Sequence, residues 1–223
     1  MVFRNGVAPE GSGGMAGAFA TVFLVRHGES TLNTREESGG DGGLTVRGRY
    51  QAIRVAECLA TVAADRLVTS PARRAFETAT IIGERLALRP EVDPDLVELQ
   101  IGELEFIPRG SMRQELSTRV TDAWLAGDED CEFRGGESLR TAQSRLDRAI
   151  ARALRGEAGT RCILVGHGGL FAIPLQFLCP DARPELLRLH PPLASVSVLR
   201  LSPLSRRGEL SRWADTSHLI DLI

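Results

Sequence analysis

The chain lacks the features that would place it in several broad classes. No apolar stretch reaches the roughly 18 residues that a membrane-spanning helix needs, so no membrane partner is expected. The four cysteines, Cys58, Cys131, Cys162 and Cys179, form no C-x-x-C pair. That argues against a zinc ribbon or a thioredoxin-type redox site, and cytoplasmic residence fits this usage. An excess of one charge is also missing. The formal net charge is −2, which argues against the concentrated basic surface of a general nucleic-acid binder. The first 19 residues lack the long apolar core of a signal peptide and are rich in glycine and small residues. They are expected to form a disordered leader, with Met15 as an alternative start.

The 223 residues suffice for one large α/β domain or two small ones, and with no internal linker or repeat a single domain over residues 20–223 is expected. Residues 19–27, "FATVFLVRH", form a short apolar run rich in β-branched side chains, the pattern of a buried strand. Residues 44–64 read as a helix capped by Thr45, with Ala52, Val55, Ala56, Leu59 and Val62 on one stripe. A second strand covers 65–70, and a helix follows Pro71 to about Leu86. The region holding 96–106 is less regular, and a helix is expected from Ser111 to Ala126. Residues 135–156 give the clearest helix. Residues 161–178 read as strand, His-Gly-Gly turn and helix, followed by strands over 194–202 and, at an edge, 208–217. Strands alternating with helices predict an α/β fold: a mainly parallel central sheet with helices on both faces, in three layers.

Two of these strands end alike. "FLVRHG" closes on Arg26, His27 and Gly28, and "ILVGHGG" closes on His167, Gly168 and Gly169. A third strand ends at Ser70, with Arg74 one helical turn later. Ligands of parallel α/β sheets bind at the carboxyl ends of the strands. These ends would bring two imidazoles and two guanidiniums to one pocket. Guanidiniums pair well with phosphate oxygens, and glycine amides and helix N-termini add donors. A phosphoryl group suits such a pocket.

Five motifs, "LVRHGES", "TSPARRAFETA", "LVELQIGELE", "GGESL" and "LVGHGG", occur in this order over about residues 20–200. The chain thereby resembles the histidine phosphatase superfamily, phosphoglycerate mutases included, and its three-layer fold is expected. The resemblance implies that His27 is the nucleophile and carries a transient phosphoryl group. It implies that Arg26 and Arg74 hold the phosphoryl oxygens, with His167 completing the pocket and the Gly168 backbone offering a donor; a protonated His167 would help to stabilise the transition-state charge. Ser30 and Asn33 match positions lining the phosphate pocket, and Glu98 matches the proton donor. No cofactor and no metal are expected, and no carboxylate cluster is spaced for a metal. The partner is a small phosphorylated metabolite, and assembly as a homodimer is left open. Glu77 departs from the glutamine common at its position, outside the residues expected to touch phosphate.

Each residue also has a plainer reading. Arg26 alone would be a solvated strand end, and His27 alone a satisfied core histidine. Glu103 and Glu105 are as acidic as Glu98, and Glu29 is a second acid beside His27. Glu29 is expected to pair with a basic group or face the rim. His190 reads as a loop residue and His218 as an exposed tail residue. Between mutase and phosphatase, two features favour a phosphatase. Only about 36 residues separate Glu98 from the GGES motif, and "TREESGGDGG" follows Asn33 where mutases are aromatic-rich. A cap is expected over about 104–134, mixing apolar residues with Arg109, Arg113, Arg119 and Arg134. It would suit a metabolite with an apolar part. A cofactor-dependent mutase and a non-catalytic phosphate-binding module are the alternatives.

Overall fold

A computed structural model describes residues 19–34, 41–108, 110–172, 175–180, 182 and 190–222. The expected leader lies almost wholly outside them. The elements are β1 (Ala20–Arg26), α1 (Val46–Leu59), β2 (Arg66–Thr69), α2 (Arg73–Leu86), β3 (Glu91–Val92), α3 (Ser111–Leu125) and α4 (Leu139–Leu154), followed by β4 (Arg161–Gly166), α5 (Gly168–Ala172), α6 (Leu175–Leu178), β5 (Val196–Leu201) and β6 (Gly208–Asp215). Short 3-10 turns span Pro94–Leu96, Gly102–Phe106 and Ser217–Leu222.

The sheet runs in the order β3-β2-β4-β1-β5-β6. β3, β2, β4 and β1 are mutually parallel, while β5 and β6 join antiparallel, with β6 at the edge. This is the mainly parallel, three-layer sheet that the alternation of elements predicts. Successive strand residues point to opposite faces, and the core divides accordingly. Val22 and Leu24 of β1 pack with Leu146, Ile150 and Leu154 of α4 on one face. Phe23 and Val25 pack with Val55 and Leu59 of α1 and with Ala79 and Ile82 of α2 on the other.

Caps set the helix starts. The Thr45 side chain accepts from the Gly48 amide and starts α1. Ser138 accepts from Thr141 and starts α4, so Gly135, Gly136 and Glu137 lie before the helix and not within it as the periodicity predicts. α1 ends at Leu59, five residues before the expected end.

The segment between β3 and α4 builds a third apolar cluster. Leu104, Val120, Trp124 and Phe133 turn inward, joined by Leu139 and Ala142 of α4, with Ile107, Leu116 and Leu125 against them. Trp124 also donates to the Cys131 carbonyl at 2.7 Å. Most of the apolar side chains expected to line a substrate cap are therefore consumed by this cluster, while Phe106 and Met112 stay exposed. Cys162 and Cys179 are buried, and Cys58 is half-buried. Among the described residues no helix is long and apolar enough to cross a membrane.

Candidate active site

β1, β2 and β4 end side by side because they are adjacent and parallel, with Arg26 beside Gly166 and Thr69 beside Val165. Their carboxyl ends deliver His27, Ser70 and His167 to one place. The two imidazole rings meet edge to face, 5.2 Å between centroids. α2 begins just after β2 and brings Arg74 over both rings. The Arg74 Nε donates to His27 Nε2 at 3.2 Å, and one terminal nitrogen lies 3.2 Å from His167 Nδ1.

These contacts choose the tautomers. His27 Nδ1 lies 2.7 Å from the Gly28 carbonyl, so it carries the proton and leaves the lone pair on Nε2. His167 Nδ1 accepts from Arg74, so its Nε2 carries the proton and donates to Ser70 Oγ at 2.9 Å. Burial pushes the pKa of His27 well below the ordinary histidine value. His167, Arg74 and Arg26 act in the same direction, and the Gly28 carbonyl opposes them. Burial lowers His167 likewise, helped by Arg74, Arg26 and Arg145. Both effects disfavour the charged imidazoles, so a protonated His167 needs a nearby negative charge.

Arg26 donates to the Pro191 carbonyl at 2.6 Å, while its Nε is buried without a partner. Burial lowers the pKa of both Arg26 and Arg74, and Glu98 opposes it. No described carboxylate forms an ion pair with either guanidinium within 4.0 Å. Among the described residues the pocket therefore concentrates positive charge with carboxylates nearby but none in direct contact with the two guanidiniums.

Glu98 is the acid that reaches this pocket. Its Oε1 accepts from the Leu170 amide at 2.9 Å and from its neighbour Leu99 at 2.8 Å, and its Oε2 accepts from Gly169 at 3.3 Å. A Cβ at position 169 would stand 2.9 Å from Glu98 Oε1, which accounts for the second glycine of the His-Gly-Gly turn. Gly168, expected to offer a donor, lies against the Arg26 guanidinium, where a Cβ would stand 3.2 Å from Nε. Asp41 and Glu105 act on Arg74 from a distance, and three other acids are engaged elsewhere. Glu29 accepts from the Thr45 hydroxyl at 2.7 Å and not from a basic group. Glu103 pairs with Arg134. Glu77 joins Arg73, Arg49 and the Leu44 amide, away from both histidines.

Ser30 and Asn33 are brought to each other. Both the amide and the hydroxyl of Ser30 donate to Asn33 Oδ1, at 2.9 and 2.8 Å. Three further residues were not legible as parts of the site. Ser70 orients His167. Thr78 accepts from the Gly28 amide and donates to the Arg74 carbonyl, tying the two together. Gly28 itself sits where a Cβ would lie 2.5 Å from the Gly48 carbonyl, so the loop after β1 can rest on α1. In the sequence Ser70 and Gly28 stand out only as strand-end positions, and Thr78 only by its place one turn after Arg74. His190 lies in a loop and is exposed. His218 is buried, against expectation: its Nε2 donates to the Ala194 carbonyl, because the last 3-10 turn docks on α1. Among the described residues no group of three or more histidine, cysteine or acidic side chains is placed to hold a metal ion.

Paired histidines and two arginines at the carboxyl ends of parallel strands make a pocket that suits a phosphoryl group. The sequence model of the histidine phosphatase superfamily (branch 1) matches residues 22–216, and the chain belongs to that superfamily. A probable phosphoglycerate mutase GpmB of Yersinia enterocolitica is 32% identical over 203 residues, covering 89% of this chain and 94% of that protein. Phosphoglycerate mutase-like protein 4 of Arabidopsis thaliana is 33% identical, covering 90% and 87%. Among solved structures, a mycobacterial glucosyl-3-phosphoglycerate phosphatase is similar with a TM-score of 0.69 and 27% identity, covering 88% of this chain and 99% of that one. The names of these relatives divide between mutase and phosphatase.

Proposed function

We propose that the protein is a metal-independent phosphomonoesterase that hydrolyses a small phosphorylated metabolite through a phosphohistidine. The observation that carries this reading is the tautomer of His27: Nδ1–H is held by the Gly28 carbonyl and the Nε2 lone pair faces Arg74. A neutral imidazole avoids the charge repulsion that an anionic nucleophile meets at a phosphate dianion. In the first step Nε2 attacks phosphorus, and the P–O bond to the alcohol breaks. Glu98, protonated at this stage, gives its proton to the leaving oxygen. Arg26 and Arg74 turn to the equatorial oxygens, where charge gathers in the transition state. The bound dianion supplies the negative charge that favours a protonated His167. In the second step Glu98 takes a proton from water as the water attacks the phosphohistidine, releasing phosphate and free His27.

The preference for hydrolysis over isomerisation rests on the residues around the pocket. A mutase must also grip the substrate carboxylate. Two of the four cap arginines are committed elsewhere: Arg113 donates to the Leu104 and Ile107 carbonyls at 2.7 and 2.8 Å, and Arg134 pairs with Glu103. The similarity to a glucosyl-3-phosphoglycerate phosphatase points the same way. The two relatives at 32% and 33% identity carry mutase names and favour the second reading, a phosphoglycerate mutase. Product analysis separates the readings. With p-nitrophenyl phosphate, 3-phosphoglycerate and a panel of sugar and nucleoside phosphates, the products are inorganic phosphate and alcohol, and EDTA changes nothing. Conversion of 3-phosphoglycerate to its 2-isomer would establish the mutase. Silence on the whole panel would favour a binding module.

A further inference from the structure

Glu98 stands on a stretch that belongs to no strand and no α-helix, between the 3-10 turns Pro94–Leu96 and Gly102–Phe106. A proton donor works only if its carboxyl is held to within about 0.5 Å of the productive geometry. Irregular backbone does not do that unaided.

One buried ion pair supplies the support. Arg145, on α4, uses all five of its N–H donors. One terminal nitrogen donates to the Asp95 and Val97 carbonyls at 2.8 and 2.6 Å. The other donates to the Glu98 carbonyl at 3.1 Å and to Glu137 Oε1 at 2.5 Å, while Nε donates to Glu137 Oε2 at 2.9 Å. Glu137 completes the frame. Its Oε1 accepts from the Gln100 amide at 2.9 Å, and its own amide donates to the Gln100 carbonyl at 2.8 Å. The backbone of residues 95, 97, 98 and 100 is thus bound to two side chains. Both are almost wholly buried, at 6% and 4% side-chain exposure.

A buried ion pair is a poor way to gain stability, because desolvation offsets the attraction and apolar side chains of similar volume do as well. What the pair provides is direction. The planar five-donor fork meets three carbonyls and a carboxylate at fixed angles, which an ammonium with three donors cannot match. The partner carboxylate also neutralises the cation, so Arg145 is not available to a phosphate.

We propose that Arg145 and Glu137 are positioning residues for Glu98: they hold the backbone that carries the proton donor and touch no substrate. This rests on the reading of Glu98 as the donor. It gives the GGES motif a task, since Glu137 is its third residue.

The test uses the leaving group. Alkoxide departure needs a proton, whereas nitrophenolate departs readily without one. Phosphorylation of the full-length enzyme is followed by rapid quench with glycerol 2-phosphate and with p-nitrophenyl phosphate, in Arg145→Lys, Glu137→Gln and the apolar pair Glu137→Leu/Arg145→Met. The clamp variants are expected to lose about 10-fold or more on glycerol 2-phosphate and less than about 3-fold on the nitrophenyl ester. Adding Glu98→Gln to a clamp variant costs little more, since the donor is already misplaced. The apolar pair serves if the single variants fail to fold, because it leaves no buried charge unpaired. Equal losses on both substrates would reduce the pair to a structural role and overturn the proposal. If Glu98→Gln alone slows both substrates equally, the donor assignment fails and the proposal with it. If Glu98→Gln discriminates and the clamp variants do not, only the proposal fails.

Discussion

Arg26 and Arg145 are both buried guanidiniums, and their surroundings differ in kind. Arg145 has a carboxylate and three carbonyls on its five donors. Arg26 has one carbonyl, and its Nε has no partner. Arg74 bonds to two imidazoles, which carry no charge to answer its own. Near the surface, Arg152 rests on Asp93 and Asp95 together. Holding a cation out of water without a counter-ion is costly, and proteins accept that cost where an anion will arrive. One set of arginines builds the molecule. The other suits the phosphoryl group of the proposed reaction.

The largest effect expected from breaking this contrast lies at the nucleophile. His27→Ala should abolish turnover, by on the order of 10⁴-fold or more, because no other group can form the covalent intermediate. Acid-quenched wild-type enzyme should carry acid-labile phosphate and the variant none. Turnover surviving in the variant would dismiss the mechanism.

Arg74→Lys comes next. It keeps the charge but loses the fork that spans both imidazoles, so kcat/KM should fall by about 10²- to 10³-fold while the melting temperature barely moves. A wild-type rate would show that Arg74 does not meet the transition state.

A smaller effect is the response of stability to pH. The unfolded chain ionises its histidines near pH 6.5, whereas His27 and His167 titrate well below that in the fold. Above pH 6.5 both states are neutral at these positions. Below it the unfolded chain binds protons that the pocket refuses. Stability should therefore fall with falling pH, by up to about 1.4 kcal/mol per unit for each histidine, until the folded pKa is reached. Urea midpoints between pH 7 and 5 should show a shallower slope in His27→Ala. An unchanged slope would mean that the buried imidazole is not held neutral.

The smallest effect belongs to the neutralised surface set. The Arg152 side chain is half exposed, so Arg152→Ala should cost no more than about 1 kcal/mol. It should leave kcat/KM untouched, and a loss of activity there would blur the division between the two kinds of arginine.

Much of this was legible before the fold was known. The apolar, β-branched run in 19–27, the Thr45 cap and the apolar stripe of α1 are short-range features, and each reappears in the structure. The convergence of Arg26, His27, Arg74, Glu98 and His167 was legible through motif order and the rule that sites form at strand ends. Misreadings arose where burial depends on distant partners. His218 reads as tail, but its turn docks on α1. The apolar residues of 104–134 read as pocket lining, but they face one another around Trp124. Glu137 reads as the first turn of a helix, because its periodicity cannot show that Ser138 takes the cap.

The sequence by itself determined the elements, the three-layer sheet and the residue types at each strand end, since local sterics and hydrophobic period decide these. Only the tertiary structure decided which nitrogen of His27 is free, that burial disfavours the charged form of His167, and that Arg145 is spent on Glu137 and the Glu98 backbone. Those are matters of hydrogen-bond direction and desolvation between groups as far as 93 residues apart in the chain. Such terms depend on ångström-scale approach, which the linear order of residues does not encode.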